Sequence, residues 1–404
     1  MKLIISSILV FAGLSVSAQN YHAVQGSPYA GSLGIANNPA SMVSTPVKWD
    51  VTLFGTQLKS ATNIFTIHDY SLLSNPANSK YSINAGDFSR KAKLSFNTNL
   101  FNTRITLDRK HAIGFGINLR GLVRAKTASY YYSDSILGVR DFFNLNDPVR
   151  PLDLSMTGST WIEIFGSYAR TILDNASARL NTGITVKASR GIAGTYMTAE
   201  NLRFRKATSQ QNILSDARVT YGYSSNFDQW QKEKGTNENV QDLFTYSQAG
   251  LAFDFGVEYL IKSQAVRTFE DGDDYYDYEW KIGVSLLDAG VNQFKYGRES
   301  RVLTGVRDNI SDTLLDDKFR TVNSLTEAND SLETFVQTMS TPAGKFTIIN
   351  PMRLVVNADR YLINDFYING EISMNLSSLF KKYHHVSELN FITITPRWET
   401  RRWG

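Results

Sequence analysis

L-A-F-D-F-G-V-E-Y-L-I-K, residues 251–262, carries a two-residue rhythm that decides how the rest of the chain is read. Leu251, Phe253, Phe255, Val257, Tyr259 and Ile261 make an unbroken apolar row. Ala252, Asp254, Gly256, Glu258 and Lys262 alternate with them, and Leu260 is the one exception. A strand sends successive side chains to opposite faces, so this stretch has one oily face and one wet face. Its length matches the roughly 9–11 residues that a tilted strand needs to cross a bilayer's hydrocarbon core. Soluble antiparallel sheets also alternate, but an apolar row this long and aromatic, repeated along the chain, suits lipid better. The fold expected is all-β: a transmembrane antiparallel outer-membrane β-barrel of about 10–14 strands.

The start of the chain supplies the compartment. Lys2 precedes the apolar run 3–14, and Val16-Ser17-Ala18 then offers a small-x-small cleavage site. This is the pattern of a secretory signal peptide over residues 1–18, cut after Ala18, and it predicts export to the bacterial outer membrane. No later stretch approaches the roughly 18 apolar residues of a spanning helix. With 42 Lys and Arg against 38 Asp and Glu, the net charge of +4 is close to balance and gives no case for nucleic acid. Mean hydropathy of −0.25 suits a barrel whose polar lumen dilutes an oily exterior. The 20 Tyr and 23 Phe would furnish interfacial girdles. The absence of cysteine removes disulfides, thiolate metal sites and a cysteine nucleophile.

Residues 19–48 are rich in Gly, Ser, Pro and Ala and lack alternation, so they read equally as a plug inside the barrel or as a plain N-terminal loop. The barrel is assigned to 49–404. Residues 111–120 and 161–170 with 179–189 alternate cleanly, the former after the turn Asp108-Arg109-Lys110. A late hairpin joins 354–358 to 366–376. Polar insertions at 130–159, 199–247 and 264–278 read as long external loops. Residues 309–337 repeat apolar positions at three- and four-residue steps, a helical insertion expected to break near Asn329-Asp330. The chain stops at Arg401-Arg402-Trp403-Gly404 directly after a strand-like segment. A barrel must return to its first strand, so the barrel is expected to be incomplete at this end.

Chemistry is sparse. His22, His68, His111, His384 and His385 show no metal-ligand spacing, and adjacent His384 and His385 point apart in extended chain. Asp271, Asp273, Asp274 and Asp277 miss the spacing of a calcium loop and read as a solvated outer loop. No nucleophile elbow, phosphate loop or dinucleotide pattern occurs, so neither an enzyme nor a cofactor is expected. Arg120, Lys187, Asp254, Glu258, Arg353 and Glu371 fall on polar faces and are candidate lumen residues of mixed sign. Mutual neutralisation in a wet interior is favoured over a selectivity lining.

Several stretches together resemble a family of Bacteroidota outer-membrane proteins that carries a domain-of-unknown-function label. They are Ala36-Asn37-Asn38-Pro39-Ala40-Ser41 with Lys48-Trp49-Asp50-Val51, the 285–290 segment Ser-Leu-Leu-Asp-Ala-Gly, Asn350-Pro351 through 357–369, and Pro396-Arg397-Trp398-Glu399. The resemblance implies a barrel distantly similar to long-chain fatty-acid transporters, with Asn38, Pro39 and Ala40 in the plug. Some members are followed by a peptidoglycan-binding domain of the OmpA type, which this sequence lacks. The function expected is passive transport of a hydrophobic small molecule across the outer membrane, with Leu33, Ile35 and Met42 as candidate pocket residues. Its partners would be outer-membrane lipid and that ligand. The alternative is an accessory or scaffold barrel of a secretion or gliding machinery, or an envelope anchor, in contact with envelope proteins.

Overall fold

The computed structural model describes residues 26–69, 79–208, 211–231, 233–262, 277–380 and 382–399. The signal-peptide stretch 1–18, His22, the acids Asp271, Asp273 and Asp274, and the terminal residues 401–404 lie outside them. Most of the rest is strand, gathered into one large antiparallel sheet. In chain order come β1 (Trp49–Thr52), β2 (Gly55–Thr62), β3 (Phe65–His68), β4 (Lys80–Ile83), β5 (Gly86–Asp108) and β6 (His111–Tyr132). Then follow β7 (Leu154–Asp174), β8 (Ala178–Thr208), β9 (Gln211–Tyr223), β10 (Gln248–Ile261), β11 (Trp280–Lys295) and β12 (Arg301–Val306). The last are β13 (Val336–Ser340), β14 (Lys345–Ile349), β15 (Arg353–Ile363), β16 (Phe366–Asn375), β17 (His384–His385) and β18 (Phe391–Trp398). The main path runs β1-β5-β6-β7-β8-β10-β11-β15-β16-β18, with β2 continuing β1 along β5.

The sheet is rolled. Arg120 on β6 and Asp288 on β11 stand four strands apart on that path, roughly 19 Å if it were flat. Their side chains meet at 2.6 Å. At the ends of the path, Lys59 of β2 lies 5.6 Å from the Phe391 ring of β18. Among the described residues no backbone ladder joins those two edges.

The type stretch keeps its parity. Phe255, Val257 and Tyr259 are 47%, 44% and 39% exposed, whereas Asp254 and Glu258 on the opposite side are 1% and 3%. Ladder register carries the pattern sideways: Val257, Val284, Val356, Ile372 and Ile392 stand opposite one another on five successive strands, all facing outward. The convex face is therefore apolar and the concave face polar, the reverse of a water-soluble sheet packed on a core.

Residues 26–48 fill the concavity. A short turn, α1 (Gly31–Gly34), leads to a 3-10 turn at Pro39–Ser44. Asn38 caps it, its Oδ1 accepting from the Ala40 N–H at 2.9 Å while its Nδ2 donates to the Val257 carbonyl at 3.1 Å. Glycines on the inner face of the wall make room: a Cβ on Gly183 would sit 2.5 Å from the Ala40 nitrogen, and one on Gly256 would strike Asn38. Wall side chains satisfy the segment's carbonyls. Ser285 Oγ donates to Asn37 at 2.6 Å, Arg104 to Met42 at 3.0 Å, and Arg179 to Val43 at 3.2 Å. Residues 19–25 of the 19–48 segment lie outside the described residues, and 26–48 lie against the concave face.

Three sequence expectations need correction. The insertions at 130–159 and 199–247 are not plain loops: β6 and β8 run on to Tyr132 and Thr208, and α2 (Val139–Leu145), β9 and α3 (Thr236–Thr245) occupy much of the remainder. Their polar composition hid strands that continue beyond the apolar belt. The insertion at 309–337 does form two helices, α4 (Asp312–Phe319) and α5 (Leu325–Glu333), but Asn329 lies inside the second. The break comes earlier because Ser324 Oγ caps the Glu327 N–H at 3.1 Å and Glu327 reaches back to the Asn323 N–H at 2.8 Å.

Gly183→Leu is expected to destabilise the fold by about 1–3 kcal/mol through forced displacement of the plug backbone. Gly166→Ala, with nothing within 4 Å of its added Cβ, is expected to stay within about 0.5 kcal/mol of wild type. Denaturant midpoints in detergent check both.

Candidate functional site

Reading up the inner faces of β6 and β7 from the short turns gives three layers in the same order, and β8 joins the upper two. First is an apolar seat for the plug, where Ile35, Met42 and Val43 pack on Ala112, Phe165 and Ala169. Next come the charges. Arg120 makes a two-pronged contact with Asp288, at 2.6 and 2.9 Å. Lys187 Nζ bridges Asp288 at 2.6 Å and Asp254 at 2.7 Å. Glu163 lies 3.7 Å from Arg120 and accepts from the Trp161 indole at 2.7 Å. Glu388, in the segment before β18, approaches Arg120 at 4.0 Å and Lys59 at 3.7 Å. Arg353 donates to the Ala36 carbonyl at 3.3 Å, tying the cluster to the plug.

Above the charges sits an aromatic septum: Leu122, Trp161, Tyr196, Phe294, Phe346, Ile348 and Val386. His384 stacks on Tyr196 with ring centroids 3.7 Å apart. His385 Nε2 accepts from Arg124 and its Nδ1–H donates to the Tyr383 carbonyl at 3.1 Å, a neutral tautomer. Burial pushes the His384 imidazole down to about 4, and burial together with Arg124 lowers His385. Among the described residues no cluster of His, Asp, Glu or Cys could hold a metal ion.

The interior between residues 26–48 and the septum is narrow where the charges meet. The space left beside Arg120, Lys187 and Asp254 is about 30 Å³, room for about one water. Farther along the same strands lies something larger, an apolar chamber of about 740 Å³. Its floor is a cross-strand row, Thr127, Leu154, Ala199, Val219 and Leu303 on five successive strands. Phe142 and Phe143 of α2, Leu315 of α4 and Leu332 of α5 roof it. That volume falls within the range of small-molecule sites, about 300–1,000 Å³.

The sequence-predicted residues divide accordingly. Arg120, Lys187, Asp254 and Arg353 meet in one network. Glu258 stands apart from it and binds the plug, accepting from Ser44 Oγ and from Asn181 at 3.2 Å. Glu371 is buried on the inner face of β16 opposite Asn357. Asn38, Pro39 and Ala40 form the plug's turn. Ile35 and Met42 are buried in the plug seat, Leu33 is half-buried, and none of the three lines the apolar chamber.

Asp288, the hub of the network, was missed. It sits in a β-bulge with φ +58, where adjacent Leu286 and Leu287 interrupt the alternation of β11. That interruption was the signal available. Glu163 and Glu388 gave none, and the chamber is assembled from six strands and three helices that no local pattern joins.

Arg120→Met is expected to cost about 3–5 kcal/mol, because it strands Asp288 and Glu163 without their main cation. Denaturant titration measures it. His384 is favoured neutral in the folded chain. Its contribution is therefore full above pH 6.5 and lost as pH falls towards about 4. Melting temperature should drop across that window, and less so in His384→Phe.

The chain matches, over residues 39–404, a family described as a family of unknown function (DUF5723), and it belongs to that family. No curated protein matches it.

Proposed function

We propose that the chain is an exported outer-membrane β-barrel that passes a hydrophobic small molecule across the membrane, with the apolar chamber as its binding site. The observation that carries this reading is the pairing of an outward apolar belt with an apolar chamber of about 740 Å³ under helices α2, α4 and α5. An outward belt has its natural solvent in hydrocarbon, and a polar interior suits a strand-built membrane wall. The signal-like start and the stretches resembling Bacteroidota outer-membrane proteins, and more distantly long-chain fatty-acid transporters, support the same compartment.

A second reading is favoured by the narrowness of the space beside the charge network. A barrel with room for about one water beside its charge network would serve equally as an accessory or scaffold barrel of a secretion or gliding machinery, or as an envelope anchor. The two readings part on uptake.

Bacteria whose outer membrane excludes N-phenyl-1-naphthylamine should take it up several-fold faster when they express the chain. Leakage of small hydrophilic solutes should not rise. Uptake equal to the empty-vector control would overturn transport and leave the scaffold reading. Recovery of the chain wholly in the soluble periplasmic fraction would overturn both.

A further inference from the structure

The chamber lies on an unexpected side of the wall. Along β6 and β7 the register runs without interruption from Ile117 opposite Ile164 to Thr127 opposite Leu154. Parity is therefore conserved, and the chamber floor shares its face with the outward belt rather than with the lumen. On β8 an extra residue against β7, near Thr160 and Trp161, shifts the outward set from Ile184 and Val186 to Met197 and Ala199, which keeps Ala199 on the same face. Between belt and floor the outward pairs are Leu119 with Ile162, Gly121 with Thr160, Val123 with Gly158, and Ala125 with Met156. None carries a charge.

The lining adds a second fact. Among the described residues its only charged members are Asp153 and Asp316; it has no Lys, Arg or His. A ligand carboxylate there would lose its water, gain no counter-ion and face two anions. An uncharged lipophile meets no such penalty.

We propose that the chamber takes an uncharged lipophile in preference to an acidic one, and that this ligand arrives over the outer face of β6 and β7 instead of through the lumen. The proposal rests on the transport reading above and names its ligand class and route. Lipid is the source, the uncharged track is the path, and the plug and charge network stay closed throughout.

Two probes sharing one ring system test it on the purified chain in lipid nanodiscs: N-phenyl-1-naphthylamine, which is neutral, and 1-anilinonaphthalene-8-sulfonate, an anion. The neutral probe should bind saturably. Val219→Trp or Leu303→Phe, which fill the chamber, should abolish that binding while heat-modifiable gel mobility confirms the fold. The sulfonate should bind weaker by on the order of tenfold or more, and Asp316→Lys should narrow the gap. Val123→Arg, on an exposed site of the track, should slow loading several-fold and leave Kd unchanged. Equal affinity for the two probes would overturn the ligand class and leave transport standing. An unchanged loading rate in Val123→Arg would overturn the route. If neither filling variant removes saturable binding, the chamber is not the site and the transport reading falls with it.

Discussion

Everything in this molecule leans on one carboxylate held by three cations. Asp288 is buried at 1% exposure and receives Arg120 from β6 and Lys187 from β8, with Arg353 of β15 at 4.0 Å. A charge taken out of water is tolerated only when partners and hydrogen bonds replace the solvent. Here the partners come from strands far apart on the sheet, so the ion cluster can be satisfied only when the sheet is rolled. Curvature and charge matching are the same requirement seen at two scales. The bulge at Asp288 also turns its backbone N–H to Asp254 Oδ1 at 2.7 Å, which fixes the second acid next to Lys187.

The rest of the architecture follows from that inward polarity. With ionic and amide groups committed to the concave side, the strands must put Val, Ile, Phe and Leu on the convex side, and the cross-strand row from Val257 to Ile392 is the outcome. Where the wall outgrows this belt, the same outward face needs a cover of another kind. Helices α2, α4 and α5 provide it, and they leave an apolar hollow beneath them. The wall itself parts that hollow from the charges, since the chamber floor keeps the outward parity of Ile117 and Ile164 while Arg120 and Glu163 face inward.

Much of this was legible in the residues, for definite reasons. Period-two alternation in 251–261, 111–120 and 179–189 is local, and it fixed strands, hairpins and face assignment together. Asn38-Pro39 gave the plug's turn because a side-chain cap and a proline act within three residues. What escaped was non-local or masked by composition. Glu388 enters the cluster through the fold and not through any neighbour in sequence. Strand ends such as 199–208 and 211–223 were read as loop because once a strand rises past the belt its outward positions no longer need to be apolar. Pocket residues were sought in Leu33, Ile35 and Met42, where apolar side chains stood beside the plug motif. Two of these were spent on holding the plug.

The plug's bonds have a consequence for assembly. Its carbonyls are the acceptors for Arg104, Arg179 and Arg353, donors drawn from three separate strands of the wall. Wall partners hold the same groups from the other side, Asp50 at 2.8 Å from Arg104 and Thr171 at 2.9 Å from Arg179, so the segment completes shells that the strands begin. Residues 26–48 precede all of the described strands, so the filling is synthesised ahead of the sheet that wraps it and stands ready as a mandrel.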